Sequence, residues 1–584
     1  MTSAGAAETA YRQAAIARRP RRKVSQRIGL EGTFRRALLL LVGLGLVLFL
    51  LYPLYRALVR SLQDRAGNFV GLANYAAYFS SPATSVSFRN SLYISVVSTV
   101  ITVVLAFLYA YALTRTTIPG CRFLQAVALL PMFIPSLVQA LAFIYLFGNN
   151  GLITRTFGLN IQLYGKVGII MSEVFYAFPH TLIILSTALM LTDARLYEVA
   201  ESLRTSSWRA FWTITVPGVK YGLLSAAFVA FTLALTDFGA PKVVGGNYDV
   251  LATDIYGRVM GQQDFEMGAT ISTLLLVPAV IAFVLDRIVQ RRQVALVTAG
   301  IVPQGPKRHA AFVQWLLYAM CLAIAVFILS VYGIVLVGAF TKYWPYNLAP
   351  TLRNFTFYVA GVHHRAGALV VLWNSVRMAT YTAVFGTAAV FFSAYLIEKT
   401  RGAGTLRSVL YLLCVVPLAV PGMVKGLSYI FAFNDPRTPF YFLYGTMAIL
   451  VISTVMHYFT VPFLTAMTAL KQLDPEFESI GESLNAPFYR TFWRVTVPVA
   501  LPSILSIAMY FFLNAMVTLS AVVFLFVPGK ELLSLSVMLL DDAGESAQAM
   551  AMSLLIAVVG LSTRGLFHLA TRRIEQRSQA WRAR

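Results

Sequence analysis

Twelve apolar runs fix the class of structure that this chain can adopt. A run of about 20 apolar residues crosses the hydrocarbon core of a bilayer as a helix, because a helix satisfies its own backbone polar groups there. The runs lie at about 37–58, 90–113, 123–147, 167–190, 217–236 and 267–285, and then at about 311–340, 371–396, 408–433, 445–470, 498–527 and 547–570. The sequence therefore predicts an all-α polytopic membrane protein.

The composition agrees with a membrane protein and argues against a nucleic-acid-binding one. Of the 584 residues, 58% are hydrophobic and 12% are charged, which is far from the balance of soluble domains. The net charge of +23 would suit nucleic acid. However, the basic residues occupy short loops and tails, and no basic domain with interleaved aromatic residues is present. Positive-inside topology explains them better, and we expect no nucleic-acid partner.

The basic residues also predict the orientation and the domain boundaries. They precede the first run (18–36), fill the stretch between the halves (287–308) and follow the last run (572–584). Six spans per half return the chain to its starting side, so we expect both termini in the cytoplasm. The predicted segments are a basic tail 1–36, a first repeat 37–286, a linker 287–310, a second repeat 311–570 and a basic tail 571–584.

One charged stretch occurs twice, between the fourth and fifth runs of each half. Residues 193–217 read DARLYEVAESLRTSSWRAFWTITVP, and residues 474–498 read DPEFESIGESLNAPFYRTFWRVTVP, at a constant offset of 281. Both contain a Glu-Ser-Leu triplet, a Phe-Trp pair and a Thr-Val-Pro ending. An even number of spans separates the copies, so the halves should be parallel repeats in a fused pseudo-dimer.

Each copy predicts a short amphipathic helix outside the hydrocarbon. Asp193 and Asp474 suit the N-cap position, and Pro475 suits the first helical position. Apolar positions then follow at i, i+3, i+4 and i+7, with carboxylates beside or opposite them. About ten residues are too few to span a bilayer. The helix could lie on lipid headgroups. Anionic headgroups would repel its carboxylates, however, and its duplication with an aromatic pair favours docking to a second protein.

The copies resemble the cytoplasmic signature of the membrane-spanning permeases of binding-protein-dependent ABC importers. That signature runs Glu-Ala-Ala, three residues, Gly, and later a hydrophobic-x-hydrophobic-Pro ending. The matching segments are Glu198-Val199-Ala200 and Ile214-Thr215-Val216-Pro217 in the first copy, and Ser479-Ile480-Gly481 and Val495-Thr496-Val497-Pro498 in the second. Arg204 and Asn485 stand where the signature has glycine.

The resemblance implies the permease of a type I importer in the bacterial inner membrane. In that family the repeated loop is the coupling helix, which sits in a groove of an ATPase subunit. The implied partners are two ATPase subunits, a periplasmic solute-binding protein, the lipid bilayer and a small-molecule substrate. The residues to which we carry the coupling role are Leu196, Glu198, Val199, Ala200, Glu201, Leu203 and Arg204, and Phe477, Ile480, Gly481, Glu482, Leu484 and Asn485.

The segment after the fifth run gives the clue to the substrate. The second half is predicted to lack this loop, as expected where one asymmetric binding protein docks. Candidates for docking or for the transport path are Asp237, Phe238, Lys242, Asn247, Asp254 and Tyr256. Alternatively, the loop only packs over the mouth of the bundle.

Two stretches of this segment, Asp-Phe-Gly-Ala-Pro-Lys (237–242) and Ala-Thr-Asp-Ile-Tyr (252–256), carry a further resemblance. Their sequences are similar to those of fused permeases of the ferric-iron and 2-aminoethylphosphonate importers, and are closer to the latter. The resemblance therefore implies 2-aminoethylphosphonate or a related phosphonate as the substrate. Ferric iron, or another small anion or a polyamine, is the alternative within the same family.

Prolines and polar pairs recur at matching depth in the two halves. The matched residues are Pro131 and Pro417, Pro135 and Pro421, Pro179 and Pro462, Asn90-Ser91 and Asn374-Ser375, and Ala110-Tyr111 and Ala394-Tyr395. The prolines should break or kink their helices, which is tolerable where neighbours satisfy the freed carbonyl groups. Such kinks either serve packing or shape the transport path. The Asn-Ser pairs stand at the start of a span and should act as caps.

Motifs for catalysis are missing from the sequence. No Gly-x-x-x-x-Gly-Lys-Ser/Thr loop occurs, so ATP hydrolysis is expected in a partner subunit. Neither a Gly-x-Ser-x-Gly elbow nor a His-Glu-x-x-His pattern is present, which argues against a membrane-embedded enzyme. The three cysteines, Cys121, Cys321 and Cys414, are too widely spaced for a disulfide framework or a metal site. We expect no cofactor and no metal site.

A secondary transporter driven by an ion gradient is the alternative from another class. It would also have twelve spans in two parallel halves. It would need ionisable groups within the spans, where Glu173 is the main candidate. His180 and His457 are as readily explained by hydrogen bonding within the bundle. This alternative gives no reason for two copies of a cytoplasmic helix.

Overall fold

The computed structural model describes residues 30–158, 161–296, 302, 305, 311–355, 367–400, 403–474, 476–484 and 486–578. Most of this part of the chain is helical. Its one sheet is an antiparallel hairpin of Thr341–Tyr343 and Asn347–Pro350. The predicted all-α class is confirmed.

Within the described residues, eight unbroken helices are long and apolar enough to cross a membrane, and four bent pairs bring the total to twelve if each pair is one span. We number these spans 1 to 12 along the chain. Spans 1 to 6 are Glu31–Ser61, Thr84–Arg115, Ser136–Phe157, Lys166–Met190, Ser207–Gly218 with Lys220–Thr236, and Phe265–Arg292. Spans 7 to 12 are Ala311–Phe340, Ala368–Lys399, Gly404–Ala419 with Gly422–Phe433, Met447–His457 with Thr460–Lys471, Phe488–Val499 with Leu501–Val517, and Ser546–Phe567. Each predicted run overlaps one of these spans, with the largest shifts at the third run (123–147), the fifth (217–236) and the eleventh (498–527).

Shorter helices join the spans at the two ends of the bundle. They are Ala73–Ser80, Cys121–Ala128, Leu130–Phe133, Ala194–Ser202, Gly239–Val244, Leu251–Tyr256, Glu476–Ser483 and Leu533–Asp542. The helix of span 6 continues to Leu296. The first part of the predicted linker, residues 287–296, is therefore helical, because the Arg, Gln and Ala residues there are good helix formers. Most of the remaining linker, the tail before residue 30 and residues 579–584 lie outside the described part.

The first span of each half packs against the third span of the other half. Span 1 lies along Gly422–Phe433 of span 9, and span 7 lies along Ser136–Phe147 of span 3. The Tyr429 hydroxyl donates a hydrogen bond to the backbone carbonyl of Phe49 at 2.6 Å. On the opposite side, the rings of Tyr145 and Trp344 stack 5.0 Å apart. The halves therefore share one hydrophobic core instead of meeting at a flat surface.

Matched prolines form breaks as predicted, one just before span 3 and one within span 9. In each half a short 3-10 helix, Leu130–Phe133 or Val416–Ala419, precedes an extended step that ends at the second proline. A new helix begins at the next residue, Ser136 or Gly422. In the second half the two arms meet at 111°. Each break frees a backbone carbonyl group inside the protein.

One side chain satisfies the freed carbonyl group in each half. Gln139 Nε2 donates to the carbonyl oxygen of Pro131 at 2.8 Å. Lys425 Nζ donates to that of Pro417 at 2.7 Å and to that of Met456 at 3.3 Å. Gln139 and Lys425 both follow their proline by eight residues. In both halves, therefore, a side chain eight residues after the proline donates to its carbonyl group, with an amide donor in one half and an amine donor in the other.

The third proline pair behaves differently in the two halves. Pro462 lies in the first turn of Thr460–Lys471, just after a 60° break in span 10. Pro179, by contrast, lies inside the unbroken helix of span 4, so of the predicted break or kink no break occurs at this residue. Its neighbours Phe178 and Thr181 are buried within the bundle, where surrounding helices can tolerate a proline in a spanning helix.

The polar pairs cap neighbouring helices and not their own spans. The hydroxyl oxygen of Ser91 accepts the backbone N–H of Leu251 at 2.7 Å, and that of Ser375 accepts the N–H of Leu533 at 2.7 Å. Each serine thus satisfies the first donor of the short helix beyond span 5 or span 11. The adjacent asparagines donate to carbonyl groups of the same segments: Asn90 to Asp249, and Asn374 to Gly529 and Glu531.

These capped segments correct one prediction. The second half does not lack the loop that follows span 5, because 237–264 and 518–545 are both 28-residue connections between their spans. Each contains a short helix that a serine caps at the same place. The loops share few residues, so the sequence repeat did not reveal that their backbones correspond.

We expect Lys425→Met to destabilise the second half, because the carbonyl group of Met456 would lose its side-chain donor and that of Pro417 would keep only the backbone N–H of Val420 at 3.3 Å. A buried polar group without a partner costs about 1–3 kcal/mol. Lys425→Gln installs the residue of the first half and should cost less. Thermal unfolding of the solubilised protein measures the difference, and equal losses in the two variants would contradict the role of this side chain.

Candidate functional site

The two repeated loops lie at the same end of the bundle. The first loop helix, Ala194–Ser202, follows span 4, and the second loop helix, Glu476–Ser483, follows span 10. After each of them a further helix turns into the next span, with bends of 64° and 77°. Each loop is therefore a pair of helices and not the single short helix predicted.

The predicted N-caps are present in both loops. The carboxylate of Asp193 accepts the backbone N–H of Arg195 at 3.1 Å. That of Asp474 accepts the N–H of Glu476 at 2.9 Å. Pro475 lies outside the described residues. These caps fix where each loop helix begins.

The apolar stripe divides into an exposed part and a packed part. Its large side chains are between 41% and 75% exposed: Leu196, Val199 and Leu203 in the first loop helix, and Phe477, Ile480 and Leu484 in the second. The small residues face inward. Ala200 is buried, and a Cβ atom added to Gly481 would lie 2.7 Å from Thr491 Oγ1. Small residues thus hold each loop helix against the next helix, while the large apolar ones point away from the protein.

The first loop helix ends in a left-handed turn. Arg204 has φ = 52°, a conformation that favours glycine. Its N–H donates to the carbonyl of Glu201 at 2.9 Å, and the N–H of Thr205 donates to that of Ala200 at 2.9 Å. This is the Schellman pattern, so the turn survives the replacement of glycine by arginine. Ala486 makes the equivalent bond to Gly481 at 2.9 Å. Asn485 and the side chain of Glu482 lie outside the described part.

A basic side chain at the end of span 2 or span 8 contacts each loop helix. Lys399 Nζ forms an ion pair with Glu478 Oε2 at 3.1 Å, and both side chains are largely buried. Arg115 occupies the matching position in the first half, and its guanidinium lies 5.2 Å from the ring centroid of Tyr197. Tyr197 matches Glu478 at the offset of the repeat. The contact is the same in both halves, although one is an ion pair and the other a cation–π interaction.

The Phe-Trp pair of each loop is split between two roles. Phe211 packs 5.8 Å from the ring of Tyr111, and Phe492 packs 4.7 Å from the ring of Tyr395. These tyrosines lie near the ends of spans 2 and 8. Trp212 and Trp493 are exposed beside the loop helices. The matched tyrosines were visible in the sequence, but their function as anchors was not.

At the opposite end of the bundle, five of the six predicted docking residues face the protein. Phe238 is buried against Tyr256. Lys242 forms an ion pair with Asp542 at 3.1 Å. Asp254 accepts a hydrogen bond from Ser87 at 2.7 Å. Asn247 is the fully exposed member of the set.

Asp237 is the remaining residue of the set. It belongs to a polar cluster inside the protein, beside the break that precedes span 3. Its carboxylate accepts the hydroxyl of Ser136 at 2.6 Å and the N–H of Ala240 at 2.9 Å. Glu173 is fully buried near Asp237, and both of its carboxyl oxygens lack a hydrogen-bond partner among the described residues. Two neighbouring carboxyl groups in a buried site disfavour each other's charged form, so a proton or a cation would stabilise the pair.

The carboxyl pair occurs in the first half only. The positions that match Glu173 and Asp237 in the second half hold Met456 and Thr518. Tyr176, one turn after Glu173, lies near Tyr458 and Tyr510 of the second half. The cluster therefore faces the surface between the halves.

Comparison with known proteins identifies a family whose sequence pattern includes both loops. A family model described as "Binding-protein-dependent transport system inner membrane component" matches residues 103–295 and 386–576, which include both loop helices. The ferric transport system permease protein FbpB of Actinobacillus pleuropneumoniae is 28% identical over 482 residues, covering 80% of this chain and 69% of that protein. The putative ferric transport system permease protein FbpB 1 of Haemophilus influenzae is 29% identical over 451 residues, covering 75% and 69%. A probable sulfate transport system permease protein cysT of Nephroselmis olivacea is 26% identical over 232 residues, covering 39% and 80%.

We expect Arg204→Gly to stabilise the first loop helix by about 1 kcal/mol, because glycine adopts the left-handed turn without steric cost. Arg204→Val should destabilise it, since a β-branched side chain fits this region poorly. Amide hydrogen exchange over residues 194–205 measures both effects. Arg209→Gly is the matched control, and it should destabilise because Arg209 is helical. A loss of protection in Arg204→Gly would contradict the assignment.

Proposed function

The chain belongs to the binding-protein-dependent transport system inner membrane components, the permeases of ABC importers, and we propose that it carries ferric iron along a path between its halves while ATPase subunits grip its two loop helices. As a permease it is not itself an enzyme. A periplasmic binding protein and an ATPase are its partners, and the bacterial inner membrane is its location. Residues 37–286 and 311–570 are the two proposed permease repeats.

We propose that each loop helix docks into a groove on one of two ATPase subunits, with the loop-bearing face in the cytoplasm. The exposed apolar side chains carry this proposal: three large ones point outward from each of two helices at one end of the bundle. Burying them against a partner is favourable, because apolar side chains gain free energy when removed from water. The anionic residues Glu198 and Glu201 beside the stripe favour a protein groove over anionic lipid.

The contacts that hold the loop helices to the spans would transmit the movement of the ATPase subunits. When the ATPase subunits close, the loop helices would be drawn together. The ion pair of Lys399 with Glu478, and the cation–π contact of Arg115 with Tyr197, would pass this displacement to spans 8 and 2. The bent helices after the loops would pass it to spans 5 and 11. Rigid-body rotation of the halves would then open the path to the other side.

The proposed substrate is ferric iron and not the phosphonate that the outward segment had implied. The relatives that cover most of the chain are named for ferric transport, whereas the sulfate relative covers 39% of it. The carboxyl pair of Glu173 and Asp237 also favours a cation, because negative charge attracts a cation and repels an anionic phosphonate. An ion-gradient-driven transporter lacks support, since this family depends on a binding protein.

We expect Leu203→Ala and Leu484→Ala each to weaken ATPase binding by about 2 kcal/mol, or about 30-fold in affinity, because a buried leucine would be truncated. Co-purification of the ATPase with the membrane-solubilised permease measures the loss. Leu348→Ala, at an exposed leucine in the hairpin at the other end, is the control. Wild-type ATPase levels with the Leu203→Ala, Leu484→Ala double variant would refute the docking role.

We expect proteoliposomes that hold the complete importer to take up ferric iron supplied on its binding protein, and not 2-aminoethylphosphonate. Glu173→Gln and Asp237→Asn should lower iron uptake about tenfold or more, because each removes a negative charge from a buried site. The amount of co-purified ATPase should not change. Thr518→Val alters the residue that matches Asp237 in the second half and serves as the control. Phosphonate uptake without iron uptake would overturn the proposed substrate.

A further inference from the structure

Among the described residues of the second loop, no side chain caps the second helix of that loop. In the first loop, the hydroxyl oxygen of Ser206 accepts the backbone N–H of Arg209 at 3.3 Å and caps the helix that follows. The matching residue of the second loop is Pro487, which carries no acceptor on its side chain. The first N–H groups of that helix therefore need a partner from elsewhere.

The first half supplies this partner. Glu31 Oε1, at the start of span 1, accepts the backbone N–H of Phe488 at 2.9 Å. The two residues are 457 positions apart in the chain. A carboxylate at this position satisfies a free N–H and also interacts favourably with the positive end of the helix dipole.

The residues around Glu31 hold it in place. Arg35 Nη2 forms an ion pair with Glu31 Oε1 at 2.7 Å, one helical turn away. The guanidinium of Arg35 lies 5.1 Å from the ring centroid of Phe488, and the ring of Phe34 lies 6.1 Å from it. Phe488 is buried in this contact. One turn of span 1 thus covers the start of the helix.

In the part of the chain described, span 7 offers the first loop no corresponding carboxylate. Span 7 begins with the apolar residues Ala311, Phe312 and Val313. The amide of Gln314 donates to the carbonyl group of Thr117 at 3.0 Å, in the connection between spans 2 and 3. The cap that span 1 supplies to the second loop therefore has no described equivalent between span 7 and the first loop. It is found at the helix whose own N-cap residue, Pro487, has no acceptor on its side chain.

The other end of span 1 is tied to the first half. Arg60 forms an ion pair with Glu266 at the start of span 6, and span 1 packs along that span. Span 1 therefore runs from the second loop, at one end of the bundle, to span 6 of the first half at the opposite end.

We propose that Glu31 is a positioning residue that links the second loop to span 1, so that span 1 carries the movement of this loop to the far end of the first half. This inference rests on the proposed role of the loops as ATPase contacts. It adds a cross-half route to the routes through spans 2, 5, 8 and 11.

The first test measures the contact in the permease alone. Glu31→Ala should raise amide exchange at residues 488–491 about fivefold, the loss expected for one helix cap. Glu31→Gln keeps an acceptor oxygen and should fall between this variant and the wild type. Thr33→Ala, at an exposed position of the same turn, is the control and should not change exchange. Unchanged exchange in Glu31→Ala would overturn the proposal.

The second test separates a local cap from a link between the halves. In the complete importer, Glu31→Ala should lower the amount of substrate transported per ATP hydrolysed, with the ATPase still bound. Adding Pro487→Ser supplies an acceptor in the position of Ser206. The double variant should recover slow exchange but keep the low ratio of transport to hydrolysis. Recovery of both would reduce Glu31 to a local cap and overturn the link.

The two proposals fail in different ways. A Leu484→Ala variant that binds the ATPase at wild-type level would refute the proposed docking role of the second loop. A Glu31→Ala variant with the wild-type ratio of substrate transport to ATP hydrolysis would refute the link between the halves. It would leave the proposed docking through Leu484 unaffected.

Discussion

A backbone carbonyl or N–H group left open within this bundle must find a partner, and side chains from elsewhere in the chain provide it. At the breaks before span 3 and within span 9, Gln139 and Lys425 bind the carbonyl groups that the prolines free. At the far end, Ser91 and Ser375 bind the first N–H groups of the outer helices. Because an open group in a low-dielectric interior costs several kcal/mol, each such bond also fixes how two elements sit together.

The halves keep the geometry of these contacts and change their chemistry. An amide in one half is replaced by an amine in the other, and a cation–π contact is replaced by an ion pair. Such exchanges are tolerated because the requirement is for a donor or a charge at one place, not for a particular residue. The carboxyl pair of Glu173 and Asp237 is different. It has no counterpart in the second half, so the surface between the halves is chemically one-sided although the backbones correspond.

Local patterns predicted much of the fold and of the loops. Run length located the spans, and the capping aspartates and the apolar spacing located the loop helices, because these signals depend on neighbouring residues. The unbroken helix at Pro179 and the left-handed turn at Arg204 depend on packing and backbone bonds that propensity does not encode. The cap from Glu31 depends on two residues 457 positions apart, which no local pattern can bring together.

The exchange of first spans between the halves bears on how the chain is made. Span 1 leaves the ribosome long before span 9, since Phe49 and its partner Tyr429 are 380 residues apart. During that interval span 1 is already inserted in the bilayer, with lipid covering the face that will later contact span 9. Long-range contacts of this kind form late in biogenesis. The first six spans therefore complete their tertiary structure only after most of the second half has entered the membrane, and premature termination of translation leaves an unfinished bundle, not a finished half.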